Sequence, residues 1–152
     1  MPPLEGKVAI VTGAGRGLGR AIATGLALAG ASVTCAARTV EQIEETASIL
    51  RDLGGKALTA PTNVTDEEQV KTMVARTVEE FGRVDIMINN AGMHMHTGNV
   101  WETEESQIDR VMAVNFKGQF WGCKYAAQQM IEQKSGTIVN IATMQANDDS
   151  SH

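Results

Sequence analysis

Short apolar runs occur five times along the chain, separated by segments in which apolar residues recur at helical spacing. The runs are KVAIV at 7–11, SVTCA at 32–36, KALTA at 56–60, VDIMI at 84–88 and TIVNI at 137–141. Continuous apolar runs of this length are typical of strands that are buried on both faces of a parallel sheet. The alternation of strand and helix patterns therefore predicts an α/β fold.

The segments between the runs carry apolar residues at every third or fourth position, as amphipathic helices do. The fourth segment is the longest, with a helical pattern over 102–133 that is interrupted around 115–118. Each of the first three segments predicts one helix between consecutive strands. The apolar positions that make up the four patterns are Leu18, Ile22, Leu26 and Ala29; Val40, Ile43, Ala47 and Leu50; Val70, Met73, Val74, Thr77, Val78 and Phe81; and Ile108, Val111, Met112, Phe116, Phe120, Cys123, Ala127, Met130 and Ile131.

Strands joined through helices in this way predict a specific sheet topology. Right-handed crossovers give a Rossmann-like, doubly wound parallel sheet of five strands in the order 3-2-1-4-5, with helices on both faces. A ligand is then expected beyond the carboxyl ends of the strands. The 152 residues have the length of one domain and contain no linker or repeat, so we expect residues 1–152 to form a single domain.

The composition argues against several classes of protein. The formal charge is −5 and the basic residues are dispersed, so no basic stripe is available for a nucleic acid. No apolar run approaches the roughly 20 residues of a membrane helix, and the N-terminus lacks a secretion signal, so we expect a cytoplasmic protein without a membrane partner. Cys35 and Cys123 have no metal-ligand spacing and are expected to be reduced, apolar side chains.

In the stretch TGAGRGLGR at 12–20, which also contains Gly15, the three glycines Gly13, Gly17 and Gly19 lie between the first strand and the first helix. Their spacing is G-x-x-x-G-x-G and not the common dinucleotide pattern G-x-G-x-x-G. Glycines at this point let backbone N–H groups and the helix N-terminus approach a pyrophosphate; the alternative is a glycine-rich turn without a ligand. A P-loop is excluded, because its Lys-Ser/Thr ending is absent. The expected pyrophosphate-binding residues are Gly13, Gly15, Arg16, Gly17, Leu18 and Gly19.

The end of the second strand, VTCAARTVEQ at 33–42, indicates which dinucleotide fits. NAD sites usually place a carboxylate there to accept a hydrogen bond from the ribose 2′-OH, whereas a 2′-phosphate calls for arginine. Here the strand ends in Ala36, Ala37 and Arg38. Arg38 and Arg16 could clamp a 2′-phosphate through charge-assisted hydrogen bonds. The sequence therefore favours NADP(H) over NAD(H), unless both arginines are ordinary solvated surface residues.

Four features combine in this chain: TGAGRGLG at 12–19, NNAG at 89–92, Asn115 within a helical pattern, and GTIVNIAT at 136–143. Together they resemble the short-chain dehydrogenase/reductase family, over essentially the whole chain but only the first part of that family's domain. The resemblance implies hydride transfer between a nicotinamide and the carbonyl or alcohol carbon of a small molecule. Fatty-acyl, sugar, polyol and steroid-like substrates all stay open.

The resemblance also implies catalytic residues. In the family a tyrosine moves the hydroxyl proton, a lysine four residues later lowers the tyrosine pKa, a serine orients the substrate oxygen, and an asparagine holds a water. Asn115 matches the asparagine, and Thr143 falls at the serine position, with a local bond to the backbone as the alternative. The tyrosine and lysine have no counterpart, since Tyr125 is the only tyrosine and Gln129 follows it four positions on. We expect Tyr125 to have a packing or surface role.

Further cofactor contacts follow from the resemblance. Asn63, next to Val64, stands where the family usually has an aspartate beside the adenine. Asn90, Ala91 and Gly92 are expected to wall the nicotinamide side, although Asn and Gly favour turns anyway. A complete family member is expected to form a homo-oligomer through helices within 102–133 and a following helix.

Further expectations concern the activity and stability of the chain and its two loop histidines. Only nine residues follow Thr143, fewer than the family has before its tyrosine, so these 152 residues alone should bind nucleotide weakly or not at all and should not turn over. The alternative is a non-catalytic nucleotide-binding or interaction protein, and an exposed TIVNI edge could cause aggregation. His94 and His96 lack a third nearby ligand, so no metal site is expected.

Overall fold

The computed structural model describes residues 1–94 and 99–142 of the chain. Its five strands form one parallel sheet in the order β3-β2-β1-β4-β5, which confirms the predicted topology. Each strand lies within or next to one of the apolar runs. The strands are β1 (Val8–Thr12), β2 (Ser32–Ala37), β3 (Ala57–Pro61), β4 (Ile86–Asn89) and β5 (Thr137–Asn140).

Helices cover both faces of the sheet, again as predicted. They are α1 (Gly17–Leu28), α2 (Val40–Asp52), α3 (Glu67–Phe81), α4 (Glu105–Met112) and α5 (Gly118–Gln133), with a short 3₁₀ turn at Val100–Glu102. The side chains of the central strand β1 alternate between two cores: Ala9 and Val11 pack with α1 and α2, and Ile10 packs with α3 and α5. All five residues of β1 are buried, because helices lie above and below it.

The buried face of α1 differs from the predicted apolar stripe. Gly19, Ala23 and Ala27 face the core, whereas Leu18 is 60% exposed. Ile22 and Leu26 are half-buried at the edge of the core. Small side chains occupy the closest contact because α1 lies so near the glycine turn and the sheet that larger ones would not fit. Large apolar residues then cover the flanks.

In α5, too, the buried residues differ from the predicted apolar stripe. Gly118, Gly122, Ala126 and Met130 are buried, whereas Phe116, Phe120 and Ile131 of the predicted stripe are 54–74% exposed. A Cβ atom on Gly122 would collide with the Asn89 side chain of β4, so a glycine is required there. An apolar strip on α4 and α5 is left at the surface.

In the described part of the chain, no helix is long and apolar enough to span a bilayer.

The interruption predicted around 115–118 is not a break in the helix. Ala113–Lys117 forms a π-helical turn that joins α4 to α5 continuously. The extra residue of a π turn shifts the faces of the two flanking helices relative to one another, which is why the apolar period changes at this point. Turns of this kind are frequent at functional sites, and Asn115 lies in the middle of this one.

Candidate nucleotide-binding site

A cavity of about 560 Å³ lies beyond the carboxyl ends of β1, β2, β3 and β4. Every residue predicted to contact a dinucleotide lines it, with the exception of Gly15. A smaller cavity of about 180 Å³ lies between β3 and α3 and contains none of these residues. The larger cavity is at the edge of the sheet where ligands bind in open α/β folds.

The glycine turn forms one wall of the cavity. Gly13 has a φ of 67° and Gly17 a φ of 53°, a left-handed region in which a side chain is strained. A Cβ atom on Gly19 would collide with the carbonyl oxygen of Gly13 and with the side-chain amide of Asn90. The glycines therefore permit a turn in which α1 begins directly against the end of β1.

The start of α1 presents unpaired backbone donors to the cavity. Arg16 is the N-cap residue, its side chain makes no capping bond, and the first turn contains no acidic residue. Within the described residues, the backbone N–H groups from Arg16 to Gly19 donate no hydrogen bond. Free N–H groups and the positive end of the helix dipole together favour an anion.

Thr12 joins the glycine turn to the NNAG turn after β4, a role that we did not predict. Its hydroxyl accepts hydrogen bonds from the backbone N–H groups of Asn90 and Ala91, each at 3.0 Å. The side-chain amide of Asn90 in turn donates to the carbonyl oxygen of Thr12 at 3.0 Å. The two turns therefore form one rigid wall. The only signal in the sequence is a threonine immediately before the first glycine.

Three arginines line the cavity with guanidinium groups that bind no other group in the described part of the chain. Arg16 and Arg38 are exposed, and neither makes a side-chain hydrogen bond or ion pair within the described residues. Arg110 of α4 also lines the cavity, one helical turn before Val114, and was missed because α4 was predicted only as an apolar stripe. Ala37 ends β2 without a carboxylate. The end of the cavity at β2 is therefore suited to a second anionic group.

Asn63 makes a local turn that limits its contacts. Its Oδ1 atom accepts hydrogen bonds from the backbone N–H of Thr65 at 3.2 Å and from the Thr65 hydroxyl at 2.9 Å. Both lone pairs of this oxygen are thereby used. A free asparagine amide can both donate and accept hydrogen bonds. In the structure only its NH₂ group is left for a ligand.

Asn115 is held by two hydrogen bonds to the backbone of Met93, in the loop that follows β4. Oδ1 accepts from the N–H of Met93 and Nδ2 donates to its carbonyl oxygen, both at 2.9 Å. A polar amide within an otherwise apolar helical pattern is therefore paired at both ends. The π turn that carries Asn115 is thereby fixed to the loop at the cavity wall.

Comparison with known proteins gives the family. A match to the short chain dehydrogenase family extends over residues 7–152. The chain belongs to this family. An uncharacterized oxidoreductase of Thermotoga maritima is 43% identical over 140 residues, which are 91% of this chain and 54% of that protein. The chain thus spans about half the length of the curated relatives it matches.

Two solved structures of the family illustrate its cofactor range. A metagenomic short-chain oxidoreductase in complex with NADP matches 96% of this chain and 66% of its own, with 32% identity and a TM-score of 0.90. NAD⁺-bound xylitol dehydrogenase matches 96% of this chain and 56% of its own, with 34% identity and a TM-score of 0.92. The fold of this chain is therefore shared by proteins that hold either dinucleotide.

Thr143 and His96 lie outside the described residues, so their predicted roles stay predictions. His94 is exposed, and among the described residues no three His, Cys, Asp or Glu side chains come together as a metal site.

Tyr125 donates a 2.8 Å hydrogen bond to Glu67 of α3 and does not line the large cavity. This bond to a carboxylate raises the pKa of Tyr125, the opposite of what a proton-transfer tyrosine needs.

Proposed function

We propose that the chain provides the cofactor-binding part of an NADP(H)-dependent oxidoreductase that acts on a carbonyl or alcohol group of a small molecule. The observation that carries the proposal is the 560 Å³ cavity, where free N–H groups of a glycine turn and unpaired arginines face the same space. Bound NADP(H) would supply the hydride acceptor or donor. Family membership supports an oxidoreductase.

The residues fit the parts of the dinucleotide in a definite order. Backbone N–H groups of Arg16 to Gly19 suit the diphosphate, and the guanidinium groups of Arg16 and Arg38 suit a 2′-phosphate. Asn63, through its NH₂ group, and Val64 suit the adenine. The NNAG turn, with Asn90, Ala91 and Gly92, suits the nicotinamide side. Asn115 fixes the adjoining loop, and Thr143 is proposed to orient the substrate oxygen.

Nucleotide titration of the protein from the complete reading frame tests this function. By calorimetry, NADPH should bind more tightly than NADH, because only NADPH carries the 2′-phosphate. Arg38→Ala should weaken NADPH about tenfold or more while leaving NADH unchanged, since one charge-assisted hydrogen bond to phosphate is worth about 1.5–3 kcal/mol. Arg76→Ala removes another surface arginine, on α3, and serves as the control. Equal affinity for both dinucleotides in the unaltered protein would rule out the NADP(H) preference.

A second candidate function is a nucleotide-binding protein without catalysis. It is favoured by the position of the only tyrosine, Tyr125, at the contact between α3 and α5 and not at the large cavity. We propose that residues 1–152 alone do not turn over. Incubation with NADPH and a panel of carbonyl compounds should show no nucleotide oxidation. Turnover that Tyr125→Phe abolishes would contradict this proposal.

The surface supports a further proposal about assembly. An exposed apolar strip runs along α4, the π turn and α5; it consists of Ile108, Met112, Phe116 and Phe120. Such a strip is typical of a protein interface. We propose a soluble, cytoplasmic homo-oligomer for the complete protein, with no nucleic-acid or membrane partner. Light scattering should give a mass above that of the monomer, and Phe116→Glu should reduce it.

A further inference from the structure

Arg20, in the first turns of α1, contacts the glycine turn from the side away from the cavity. Its Nη2 atom donates to the carbonyl oxygen of Gly15 at 2.6 Å. Its two terminal nitrogens also form a bidentate pair with Glu45 of α2, at 2.6 and 3.1 Å. None of Gly15, Arg20 and Glu45 lines the large cavity. The guanidinium group therefore supports the turn without reaching a ligand there.

Thr46 completes this support from a fully buried position. Its hydroxyl accepts a hydrogen bond from Nε of Arg20 at 3.0 Å. Its single proton is then available to the carbonyl oxygens of Ala14 at 2.9 Å and Gln42 at 3.0 Å. Arg20 and Thr46 thus hold two successive carbonyl groups of the glycine turn, those of Ala14 and Gly15.

Fixing a carbonyl group also fixes the N–H group of the same peptide. No peptide bond in the described residues is cis, and in a trans peptide the C=O and N–H point in opposite directions. The Gly15 oxygen points to Arg20, behind the turn. The N–H of Arg16 therefore points to the opposite side, where Arg16 itself lines the cavity. Likewise, the Ala14 oxygen held by Thr46 sets the direction of the Gly15 N–H.

We propose that Arg20, held in place by Glu45 and Thr46, is a positioning residue that pre-orients the peptide N–H groups of the glycine turn toward a diphosphate. This inference rests on the proposed dinucleotide-binding function. Without Arg20 the peptides could rotate, and the cost of orienting them would be met when the anion binds. We expect that cost to appear as a loss of affinity for any ligand with a diphosphate at the turn.

Titration of the protein from the complete reading frame with three ligands tests the inference. NADPH and NADH contain the diphosphate, whereas adenosine 2′-monophosphate lacks it but still offers an adenine and a 2′-phosphate. Arg20→Met should weaken NADPH and NADH by the same factor, about tenfold, and leave adenosine 2′-monophosphate within twofold. A general loss of structure would weaken all three ligands together.

Arg51→Met is the matched control. Arg51 also joins a carboxylate of α2 to a backbone carbonyl oxygen: it lies 3.7 Å from Glu44 and donates to Ala57 at 3.1 Å. It does so away from the glycine turn, so its loss should leave all three affinities unchanged. Glu45→Gln keeps the Arg20 guanidinium group but removes its ion pair, so it should reproduce the pattern of Arg20→Met more weakly. If Arg20→Met does not fold, Glu45→Gln is used in its place.

The outcomes separate this inference from the function it rests on. Dinucleotide affinities within twofold of the unaltered protein in Arg20→Met would overturn the inference and leave the proposed function intact. Equal weakening of all three ligands would also overturn it, because the role would then be structural. If the unaltered protein binds neither dinucleotide, the proposed function fails and the inference fails with it.

Discussion

The side-chain amide of Asn115 and the backbone of Met93 form a pair of hydrogen bonds, each 2.9 Å long, that joins a π-helical turn to the loop after β4. The pair involves both ends of the amide, much as two residues of neighbouring strands pair in a sheet. A polar side chain on an otherwise apolar helical segment is thereby satisfied. The cavity wall at Gly92 and Met93 depends on this contact.

Asn115→Leu should lower the free energy of unfolding by about 1–3 kcal/mol. The leucine fills a similar volume but leaves the N–H and C=O of Met93 without their partners. Urea denaturation measures the loss. Gln119→Leu, which removes a single bond to the carbonyl oxygen of Ile141, is the control and should cost less. Equal stability of Asn115→Leu and the unaltered protein would show that the loop does not depend on this pair.

Gly19→Ala should disrupt the glycine turn, whereas Gly25→Ala in the same helix should not. An added Cβ at Gly19 collides with the carbonyl oxygen of Gly13, but nothing lies within 4 Å of one at Gly25. We expect a loss of about 1–3 kcal/mol of stability for Gly19→Ala, as in other overpacked sites, and weaker nucleotide binding. Gly25→Ala should gain up to about 1 kcal/mol from helix propensity. Thermal unfolding of the two variants compares them directly.

The two cysteines should differ strongly in reactivity. Burial raises the pKa of the Cys35 thiol from 9.0 to about 12, so almost no thiolate exists near pH 8. Cys123 is partly exposed and forms no disulfide. In the native state a thiol reagent should therefore modify only the Cys123 thiol rapidly, and Cys123→Ser should abolish this rapid phase of labelling. Both thiols should react in denaturant. Rapid native labelling of Cys35 would mean that β2 opens readily.

Asp85 should make stability depend on pH in the acid range. Its carboxylate is buried, which alone would raise its pKa, but hydrogen bonds from Arg83, the Val8 N–H and Lys7 outweigh burial and hold the pKa below its usual 3.8. The folded pKa is thus lower than the unfolded one. The resulting stabilisation is complete above the unfolded pKa and is lost as pH falls through the folded pKa.

Urea denaturation of the Asp85→Asn variant between neutral pH and about pH 3 isolates this contribution. The difference in unfolding free energy between the unaltered protein and the variant should be largest at neutral pH and should shrink toward acid. Glu80→Gln, which removes an exposed carboxylate of α3 that makes no side-chain hydrogen bond or ion pair within the described residues, is the comparison. A difference that stays constant with pH would mean that the Asp85 pKa is not lowered by folding.

Much of the fold was predictable because its signals are local or nearly so. Strands β1 to β5 follow the five apolar runs. Because crossovers between parallel strands are right-handed, few strand orders are possible. The glycine turn and the NNAG turn were found from adjacent residues. The buried faces of α1 and α5 were predicted only in part. Met130 is buried as predicted, but hydrophobic spacing also favours Leu18 and Phe120, whereas close packing selects glycine and alanine.

The sequence by itself determined the layered α/β architecture and placed the glycine turn at the edge where parallel strands end, because strand and helix periodicity and chain handedness act over short stretches. Tertiary structure alone decided which atoms are left free. It uses both ends of the Asn115 amide at Met93, 22 residues earlier. It also brings Thr46 of α2 against Ala14, 32 residues earlier. Hydrogen bonds have directions and require contact, and neither is fixed until the helices have packed on the sheet.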